Sequence, residues 1–399
     1  MLIPVIRELS RSSLWEARVL AATTAGPEME RHGITAYGYR HLVATSGDKD
    51  ALDLGRQLAK SAHNPASGIA LEESVAYLGL CYRDLEERLG AKRAGELYAT
   101  YGRHAFLPIG PLTRAVDRFE PDVVVTTNSP KSERAALLVA HAKGIPAVYL
   151  EDLFCLHVHP PFVPAPIAER VCVGSTIAAE NFAGRYPGLA PAIRLTGNPA
   201  FDRLAELPPN ARIEVRHRLG VSPAERLVVY MDPACTPPRL VEAIAGATGR
   251  VANTRFFVRR HPNFRIIPEG EYRATLGSST GIAESVDLDG LLLACDLVIT
   301  VASTTAVEAA LVGRPVLQLG EGTDVPHAVG DRAEQLPLFE HGVSMLANSF
   351  DEITVALREA LDGRTGDALR RRAYEVFVPP GRAAAAVASQ VQSIARINA

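Results

Sequence analysis

A cluster of hydroxyl side chains follows an apolar run near residue 300. The segment "LVITVASTTAVEAA" predicts a buried strand and then a helix that begins at Ser303, Thr304 or Thr305. The first-turn amides of such a helix are unpaired and lie at the positive end of its dipole, so they can bind phosphate oxygens. Glu308 follows on the same helix and is a candidate to accept hydrogen bonds from ribose hydroxyls. An ordinary helix cap is the alternative explanation for the hydroxyls.

A basic run ends another candidate strand. The segment "FFVRRHPN" places Arg259, Arg260 and His261 after an apolar stretch, and Pro262 stops the strand there. Cations at the carboxyl end of a strand suit a diphosphate, because a charge-assisted hydrogen bond contributes about 1.5–3 kcal/mol. In that role His261 would stabilise the charge that grows on a departing phosphate. A surface turn with hydrated arginines is the alternative.

Two adjacent carboxylates end a strand in the first half. The segment "YLEDLFCLHVHPPF" places Glu151 and Asp152 at the strand end, followed by His157 and His159 in a loop stopped by prolines. Neighbouring carboxylates have pKa values that are pushed apart, so one of them can act as a general base. A cap of a helix or loop is the alternative. The spacing also permits a metal site of Glu151, His157 and His159, which we disfavour, and no metal is predicted.

These strand ends need a scaffold that gathers them at one edge of a sheet. Short β-branched runs alternate with helical patterns, as in "PDVVVTTN", "IPAVYLED", "RLVVYMD" and "PVLQL". This alternation predicts parallel sheets with helices on both faces. The Pro-containing stretch 196–212 is the predicted seam between two halves. We therefore predict an α/β protein of two Rossmann-like, doubly wound domains that face a cleft.

The predicted boundaries follow from these patterns. Residues 1–200 form an amino-terminal, acceptor-side domain, residues 201–378 a nucleotide-binding domain, and residues 379–399 a helix that packs back on the first domain. Residues 44–120 are amphipathic and strand-poor, which predicts a helical elaboration. The chain begins with a helical pattern where a doubly wound domain normally has a strand. We expect that a first strand is missing and that coding sequence continues in frame upstream of Met1.

Composition restricts the class of protein. The chain has 399 residues, a net charge of −3 and 47% hydrophobic residues, which suits about two globular domains. The charge gives no reason to expect nucleic acid as partner. The five cysteines lack a C-x-x-C pattern and suit free thiols in a reducing cytoplasm. No apolar run approaches the roughly 18–20 residues of a membrane span.

The ordered set of motifs resembles the GT-B architecture of glycosyltransferases over nearly the whole chain. Within it, the hydrolysing UDP-N-acetylglucosamine 2-epimerases are one group of relatives. "GIPAVYLED" is similar to their strand that ends in a catalytic glutamate, which falls on Glu151. "TGNPAFDRL" resembles their hinge, and "STTAVEAALVGRPVL" matches their nucleotide motif with Ser303 and Glu308 aligned.

The chain departs from the epimerases at positions where those enzymes carry residues that transfer protons. Ser129 replaces their catalytic aspartate, and "MDPACTP" lacks their histidine after the first strand of the second domain. In "TDVPHAV", Val325 and His327 replace their arginine and second glutamate. The residues predicted beside substrate are Asn128, Ser129, His157, His159, Asp232 and Thr323.

A second group of relatives fits the order of the remaining motifs. Capsule- and teichoic-acid-type transferases include bacterial polysialyltransferases and CDP-glycerol glycerophosphotransferases. The polysialyltransferases show an acidic pair, an H-P dipeptide and a Ser/Thr cluster. These resemble Glu151–Asp152, His261–Pro262 and Ser303–Thr304, although Leu153 stands where the family has glycine after the acidic pair.

Together these features predict a cytoplasmic transferase for polysaccharide or glycoconjugate biosynthesis. Its donor would be a UDP-, CMP- or CDP-linked sugar or related group, and its acceptor a glycan or small molecule. Glu151 or Asp152 would deprotonate the acceptor hydroxyl, and no cofactor is expected. A UDP-sugar 2-epimerase and a nucleotide-binding protein without catalysis are the alternatives. Peripheral membrane contact and a homodimer are compatible with the sequence.

Overall fold

The computed structural model divides the chain into two compact units. Unit 1 comprises Met1–Gly174, Ala178–Ala200 and Ala384–Ala399, and unit 2 comprises Ser175–Ile177 and Phe201–Ala383. The structure describes residues 1–22, 24–44, 47–156, 160, 162–232, 236–262, 268–277, 279–301, 303–323 and 337–395.

Unit 1 contains a four-stranded parallel sheet and a separate two-stranded parallel sheet among its described residues. The four-stranded sheet has the order β3-β4-β5-β6, and β1 pairs with β2. The strands are β1 Val19–Leu20, β2 Ala36–Tyr37, β3 Val124–Thr126, β4 Ala147–Leu150, β5 Arg170–Val173 and β6 Ile193–Leu195. Strand β4 is buried along its whole length, as expected for a parallel strand covered on both faces.

Helices cover the sheet of unit 1 and extend beyond it. They are α1 Leu2–Leu9, α2 Ala25–Arg31, α3 Lys49–Ala62, α4 Leu71–Leu89, α5 Ala91–Tyr101, α6 Ile109–Phe119, α7 Ser132–Ala142 and α8 Thr176–Arg185, joined by the final helix of the chain, Ala383–Ile394. Val5 of α1 and Val387 and Val391 of the final helix pack with Val148 of β4 in one apolar cluster. The prediction of a first strand upstream of Met1 stays a prediction.

Helices α3 to α6 occupy the range 44–120, where a helical elaboration is predicted, and the described residues of this range contain no strand. Helices α3 and α4 cross closely at Gly55 and Gly79. A Cβ on Gly55 would lie 2.1 Å from the Val75 carbonyl oxygen, so glycine is required at this crossing. The cluster that these helices enclose includes the buried rings Tyr39 and Tyr77.

Unit 2 is a doubly wound α/β domain. Its six parallel strands are β7 Arg226–Asp232, β8 Thr254–Arg260, β9 Thr280–Ile282, β10 Leu297–Thr300, β11 Val316–Leu319 and β12 Met345–Ala347. They pair in the order β9-β8-β7-β10-β11-β12. Counted from the first strand of the unit, this is the 3-2-1-4-5-6 order of dinucleotide-binding domains.

The helices of unit 2 alternate with its strands. They are α9 Ala211–Arg218, α10 Pro238–Gly249, α11 Glu269–Ala274, α12 Leu288–Ala294, α13 Thr305–Leu311, α14 Phe350–Leu361 and α15 Gly363–Val376, so that the final helix, Ala383–Ile394, is α16. Asp287 caps α12 by accepting a hydrogen bond from the Gly290 N–H at 2.7 Å. None of the helices among the described residues is long and apolar enough to cross a membrane.

Candidate functional site

The acidic pair lies at the carboxyl end of β4 in unit 1. The N–H of Glu151 donates to the Cys172 carbonyl at 3.0 Å, so the parallel ladder with β5 continues to the pair itself. Asn128, just after β3, donates from Nδ2 to Glu151 Oε1 at 3.1 Å and to Asp152 Oδ1 at 2.7 Å. Because β3 and β4 are neighbours, one amide at the end of β3 holds both carboxyl groups.

The Glu151 carboxyl is placed to exchange a proton near neutral pH. It is only 4% exposed, and Tyr149 Oη donates to its Oε2 at 3.0 Å. Burial, and then the negative charge of Asp152, raise the pKa of Glu151 to about 7, and the hydrogen bonds from Tyr149 and Asn128 only partly oppose this shift. A carboxyl group with a pKa near the working pH is well matched to general acid–base catalysis.

The two carboxyl groups differ in how a ligand can reach them. Both oxygens of Glu151 accept hydrogen bonds from protein donors, and the side chain is buried. Asp152 is partly exposed, and its carbonyl oxygen accepts a hydrogen bond from Asn198 Nδ2 at 2.6 Å. This contact fixes the backbone of Asp152. Asp152 is therefore the member of the pair that a ligand can contact, and Glu151 is its buried partner.

A further carboxylate, Glu133, is hydrogen-bonded to the loop that carries Asn128. Glu133 Oε2 accepts hydrogen bonds from Thr127 Oγ1 at 2.5 Å and from the Ser129 N–H at 3.3 Å. Burial raises the pKa of Glu133, and these donors oppose the shift. Ser129 thus contributes its backbone to the loop, and its predicted contact with substrate stays a prediction.

The candidate nucleotide site of unit 2 lies at the point where the strand order reverses. Strands β7 and β10 are neighbours there, and ligands of open α/β sheets bind beyond the carboxyl ends of such a pair. Asp232 ends β7, and Ser303 to Thr305 follow β10. His261 follows β8, two strand spacings or about 10 Å from β10 along the same edge of the sheet. His261 and the residues Ser303 to Thr305 therefore lie along the same edge of the sheet.

The hydroxyl cluster lies at the start of a short helix. The Thr305 N–H donates to Ser303 Oγ at 3.2 Å, and Ser303 Oγ donates to Thr305 Oγ1 at 2.9 Å. Thr304 is the residue before α13, and its side chain makes no capping hydrogen bond. Helix α13 has only seven residues, so its dipole is weak. Ser303 and Thr305 are thus hydrogen-bonded to each other at the helix start, and binding of phosphate at Ser303–Thr305 stays a prediction.

The predicted ribose ligand Glu308 is engaged in an ion pair. Arg203 donates from Nη2 to Glu308 Oε1 and from Nε to Asp289 Oδ2, the latter at 2.9 Å. Burial raises the pKa of Glu308, and the bond and charge of Arg203 oppose that shift. A nucleotide that used Glu308 would have to share this carboxylate with Arg203 or displace it.

The two arginines at the end of β8 have contacts within the domain. Arg259 Nη1 donates to the carbonyl oxygens of Ala283 and Val286, both at 2.7 Å. Arg260 forms a buried ion pair with Glu284 at 2.5 Å, and its guanidinium lies 4.4 Å from the centre of the Tyr272 ring. These contacts give both arginines structural roles, and their assignment to phosphate stays a prediction.

The remaining predicted site residues differ in exposure and in hydrogen bonding. His261 is exposed at the end of β8, and its N–H donates to the Asp232 carbonyl oxygen at 3.0 Å. The Asp232 carboxylate accepts hydrogen bonds from Thr236 and Tyr272. Thr323 is fully buried and closes a turn by donating to the Gly320 carbonyl oxygen at 2.6 Å. His157 and His159 lie outside the described residues.

Sequence reasoning missed two residues that shape these sites. Tyr149 stands two positions before Glu151 on one strand, so both side chains lie on the same face, and this period-2 relation was readable from "VYLED". The pairing of Arg203 with Glu308 joins residues 105 positions apart, and no local pattern indicates it.

Comparison with known proteins identifies the fold. No model of a protein family matches the chain, and no curated protein sequence matches it. Solved structures do match. A UDP-GlcNAc 2-epimerase from Neisseria meningitidis, crystallised with UDP-GlcNAc, aligns with a TM-score of 0.60 at 14% identity, over 98% of this chain and 96% of that one.

Two further structures, one of them a glycosyltransferase, align over similar lengths. CalG4, the calicheamicin glycosyltransferase, has a TM-score of 0.60 at 15% identity, over 100% of this chain and 95% of that one. MurG from Acinetobacter baumannii has a TM-score of 0.54 at 13% identity, over 98% and 94%. Identities this low establish the fold alone. The prediction of GT-B architecture is confirmed: the chain is an α/β protein of the GT-B fold, with two Rossmann-like domains.

Proposed function

We propose that the protein is a glycosyltransferase that uses a nucleotide-activated sugar. The observation that carries the proposal is the acidic pair at the carboxyl end of β4, where burial and Asp152 raise the pKa of Glu151 to about 7. The GT-B fold supports it, because structures of this fold that match the chain include glycosyltransferases and epimerases. A paired carboxyl group that titrates near neutral pH suits the removal of a proton from an acceptor hydroxyl.

In the proposed reaction Asp152 contacts the acceptor hydroxyl and takes its proton. The hydroxyl oxygen forms a bond to the anomeric carbon of the donor sugar, and the bond from that carbon to the phosphate oxygen breaks. The bonding electrons leave with the nucleotide, whose phosphate carries the new negative charge. Glu151 would share the proton with Asp152 through the hydrogen bond between the two carboxyl groups.

The donor would bind to unit 2 at the reversal of the strand order. Ser303, Thr304 and Thr305 are the candidates for phosphate oxygens, and His261 is the candidate that stabilises charge on the leaving phosphate. Glu308 is the candidate to accept hydrogen bonds from the ribose hydroxyls. The nucleotide would compete with Arg203, which is paired with the Glu308 carboxylate. The proposal includes no metal and no further cofactor. Cytoplasmic location, peripheral membrane contact and a homodimer stay predictions.

A UDP-sugar 2-epimerase is the second candidate. Several of the matching structures are UDP-GlcNAc 2-epimerases, including the complex with UDP-GlcNAc. Against it, Ser129 stands where the epimerases carry a catalytic aspartate, and Glu133, the carboxylate near that loop, is bonded to Thr127 and the Ser129 N–H. The contacts of this loop thus favour transfer over abstraction of a proton from the sugar.

Products distinguish the candidates. Incubation with UDP-GlcNAc alone should release little UDP if the protein is a transferase, and a matching acceptor should raise release many-fold. Free N-acetylmannosamine and UDP without any acceptor would identify an epimerase and contradict the proposal. A protein that binds nucleotide and turns over no donor with any acceptor would be a binding module.

The nucleotide itself can be identified first. A thermal-shift series with UDP, CMP, CDP, GDP and dTDP should single out one base. Ligand at about 100 times its dissociation constant adds roughly 2.7 kcal/mol to the free energy of unfolding. No stabilisation by any of the five would contradict the assignment of unit 2 as the donor-binding domain.

A further inference from the structure

A surface cavity of unit 1 lies between helix α5 and the connection from β4 to β5. Its volume is about 350 Å³, near the lower end of the range for small-molecule sites. Five of its lining residues come from α5 and one comes from the connection: Arg93, Glu96, Leu97, Thr100, Tyr101 and Phe162. We call this site the α5 cavity.

One face of α5 supplies most of the cavity wall. The five lining residues of the helix follow the i, i+3, i+4, i+7, i+8 pattern, so they form a single stripe along it. Leu97 in the middle of the stripe is 7% exposed and belongs to the apolar core beneath the helix. The next residue, Tyr98, stacks on Phe106 with 5.5 Å between the ring centres. The wall of the cavity is therefore part of a packed helix.

Phe162 contributes a second aromatic ring beside that of Tyr101. The two rings meet edge-on, with 5.2 Å between their centres and 73° between their planes. Arg134 of α7 is buried, and its Nη1 donates to the carbonyl oxygen of Pro164, two residues after Phe162. The segment that carries Phe162 is thus tied to a helix of the domain.

Both rings keep apolar area in contact with solvent. Tyr101 is 38% exposed and Phe162 is 37% exposed. A single exposed ring is common on protein surfaces, but two rings in contact at the edge of a cavity form an apolar patch. A ligand that covers the open ring faces would remove this area from water, which favours binding.

The polar groups of the cavity carry no net charge. Arg93 donates to Glu96 Oε2 at 3.2 Å, so that the cation and the carboxylate neutralise each other. Glu96 Oε1 and the other N–H groups of Arg93 have no partner in the described part of the chain. Thr100 Oγ1 donates to the Glu96 carbonyl oxygen at 3.0 Å, so its lone pairs can still accept. The cavity therefore offers hydrogen-bond donors and acceptors without a surplus charge for an ion.

We propose that the α5 cavity binds a neutral pyranose ring of a glycan. The C–H bonds on one side of such a ring have slightly positive hydrogens, which pack against the negative face of an aromatic ring. The hydroxyl groups at its edge both donate and accept hydrogen bonds. They would meet the acceptor Glu96 and the donor Arg93, while Tyr101 and Phe162 would contact the apolar side.

The shape and polarity of the cavity favour a sugar over other small ligands. A planar nucleobase stacks best on one open ring face or between parallel rings, whereas rings at 73° to each other form a corner. A puckered ring with apolar and polar parts fits such a corner beside polar groups. An alkyl chain would cover the Arg93–Glu96 ion pair without forming hydrogen bonds to it, which costs desolvation energy.

The identity of the glycan as the acceptor rests on the proposed function. The connection from β4 to β5 begins with the acidic pair and carries Phe162 ten positions after Asp152. Because the donor is proposed to bind to unit 2, a glycan bound to unit 1 would be the acceptor. The acceptor class is then a neutral oligosaccharide or polysaccharide. Binding of the glycan itself does not depend on catalysis.

The test measures binding of four neutral tetrasaccharides: maltotetraose, cellotetraose, mannotetraose and chitotetraose. The ring signals of Phe162 are identified in NMR spectra of the full chain as those that disappear in Phe162→Leu. At least one of the tetrasaccharides should shift these signals in a saturable way at millimolar concentration. Phe162 signals that respond to none of the four would overturn the proposal.

Matched variants separate the cavity from other exposed rings. Tyr101→Leu removes one aromatic face and should weaken binding of that tetrasaccharide at least tenfold, while Tyr101→Phe should keep the affinity within about threefold. Tyr374→Leu removes another exposed ring, on α15 of unit 2, and should leave the affinity unchanged. Equal affinity in Tyr101→Leu and Tyr374→Leu would overturn the proposal.

Ligands of other classes test the assignment to a neutral sugar. Uridine presents a planar base, hexanol an apolar chain, and tetragalacturonate a row of pyranose rings with carboxylates. Each should bind at least tenfold more weakly than the best neutral tetrasaccharide when the shift of the Phe162 signals is measured. An affinity within tenfold of that tetrasaccharide for any of the three would overturn the assignment.

Failure of this proposal differs from failure of the proposed function. Saturable binding of a neutral tetrasaccharide without transfer from any nucleotide-activated sugar would contradict the transferase and leave the glycan site in place. Transfer to a neutral tetrasaccharide with the same KM in the parent protein and in Tyr101→Leu would support the transferase and overturn the α5 cavity as its acceptor site.

Discussion

Two buried glutamates, one in each unit, have the same side chain and different electrostatic surroundings. Glu308 in unit 2 is 6% exposed and paired with Arg203, whereas Glu151 in unit 1 is 4% exposed and accepts hydrogen bonds from the neutral donors Asn128 and Tyr149. Burial raises the pKa of both carboxyl groups. At Glu308, Arg203 opposes the shift more strongly than the nearby Asp289 adds to it, whereas at Glu151 the largest influence after burial is a second carboxylate, Asp152, which adds to the shift.

Under the proposed function, this difference suits the two residues to different tasks. A carboxylate that keeps a cationic partner stays ionised and can accept hydrogen bonds, which suits a ribose. A carboxyl group beside another carboxylate changes its protonation state near neutral pH, which suits proton transfer.

The largest effect should come from the acidic pair. Asp152→Asn removes the group that takes the proton and should lower kcat by about 10²–10⁴-fold, the usual contribution of a general base. Nucleotide affinity, measured by calorimetry, should stay within about twofold because the proposed donor site lies in unit 2. Glu72→Gln, which changes an exposed carboxylate on α4, serves as the control. Loss of nucleotide binding in Asp152→Asn would contradict the division.

Glu308→Gln should show the reverse pattern. Replacing the carboxylate by an amide weakens charge-assisted hydrogen bonds to the ribose, so the nucleotide Kd should rise about 10- to 100-fold. At saturating donor, kcat should change much less than in Asp152→Asn. Glu359→Gln on α14, which alters an exposed side chain of the same unit, should leave Kd unchanged. An unchanged Kd in Glu308→Gln would remove this residue from the nucleotide site.

Stability should depend on pH through Glu151. Its pKa in the folded state, about 7, lies above the ordinary 4.5, so the folded protein holds the proton more tightly than the unfolded chain. The resulting stabilisation is complete below about pH 4.5 and is lost as the pH rises through 7. Glu151→Gln cannot ionise and should lose less stability between pH 5 and 8, by about 1–3 kcal/mol in urea unfolding. Parallel stability curves for the two proteins would contradict the raised pKa.

The smallest effect concerns Tyr149. Its hydroxyl donates to Glu151 and favours the ionised form, so Tyr149→Phe should raise the pKa of Glu151 by about one and lower kcat/KM about tenfold at pH 6. In the parent protein kcat/KM should increase with pH through about 7 and then level off. A pH profile that does not move in Tyr149→Phe would show that this hydrogen bond has no influence on the reacting group.

The sequence predicts the fold where burial leaves a continuous local pattern. Central strands such as β4 and β10 are buried at each position, so they appear as short apolar runs, and their predictions are confirmed. The strands β6 and β12 were not predicted. Both have only three residues and lie at sheet edges with partly exposed positions, so no apolar run marks them.

For the candidate sites too, the sequence predicts features that depend on adjacent residues and misses those that depend on distant ones. Placement of Glu151 and Asp152 at a strand end follows from adjacent residues, and the prediction of that strand is confirmed. The partners of Arg260 and Glu308 lie 24 and 105 positions away in the sequence. The sequence therefore predicted that both side chains could bind a ligand, whereas the fold pairs each of them with another charged side chain. Ion pairs between distant elements depend on tertiary packing, which a single sequence does not display.

The most direct test of the account is the titration of Glu151 itself. The Glu151 carboxyl signal can be assigned in carbon-13 NMR spectra of the full chain as the signal that disappears in Glu151→Gln. A titration should show this carboxyl group losing its proton near pH 7. In Asp152→Asn the pKa of Glu151 should fall, because the negative charge beside it is removed. A Glu151 carboxyl that titrates at its ordinary value near 4.5, unaffected by Asp152→Asn, would contradict the proton-transfer role of the pair.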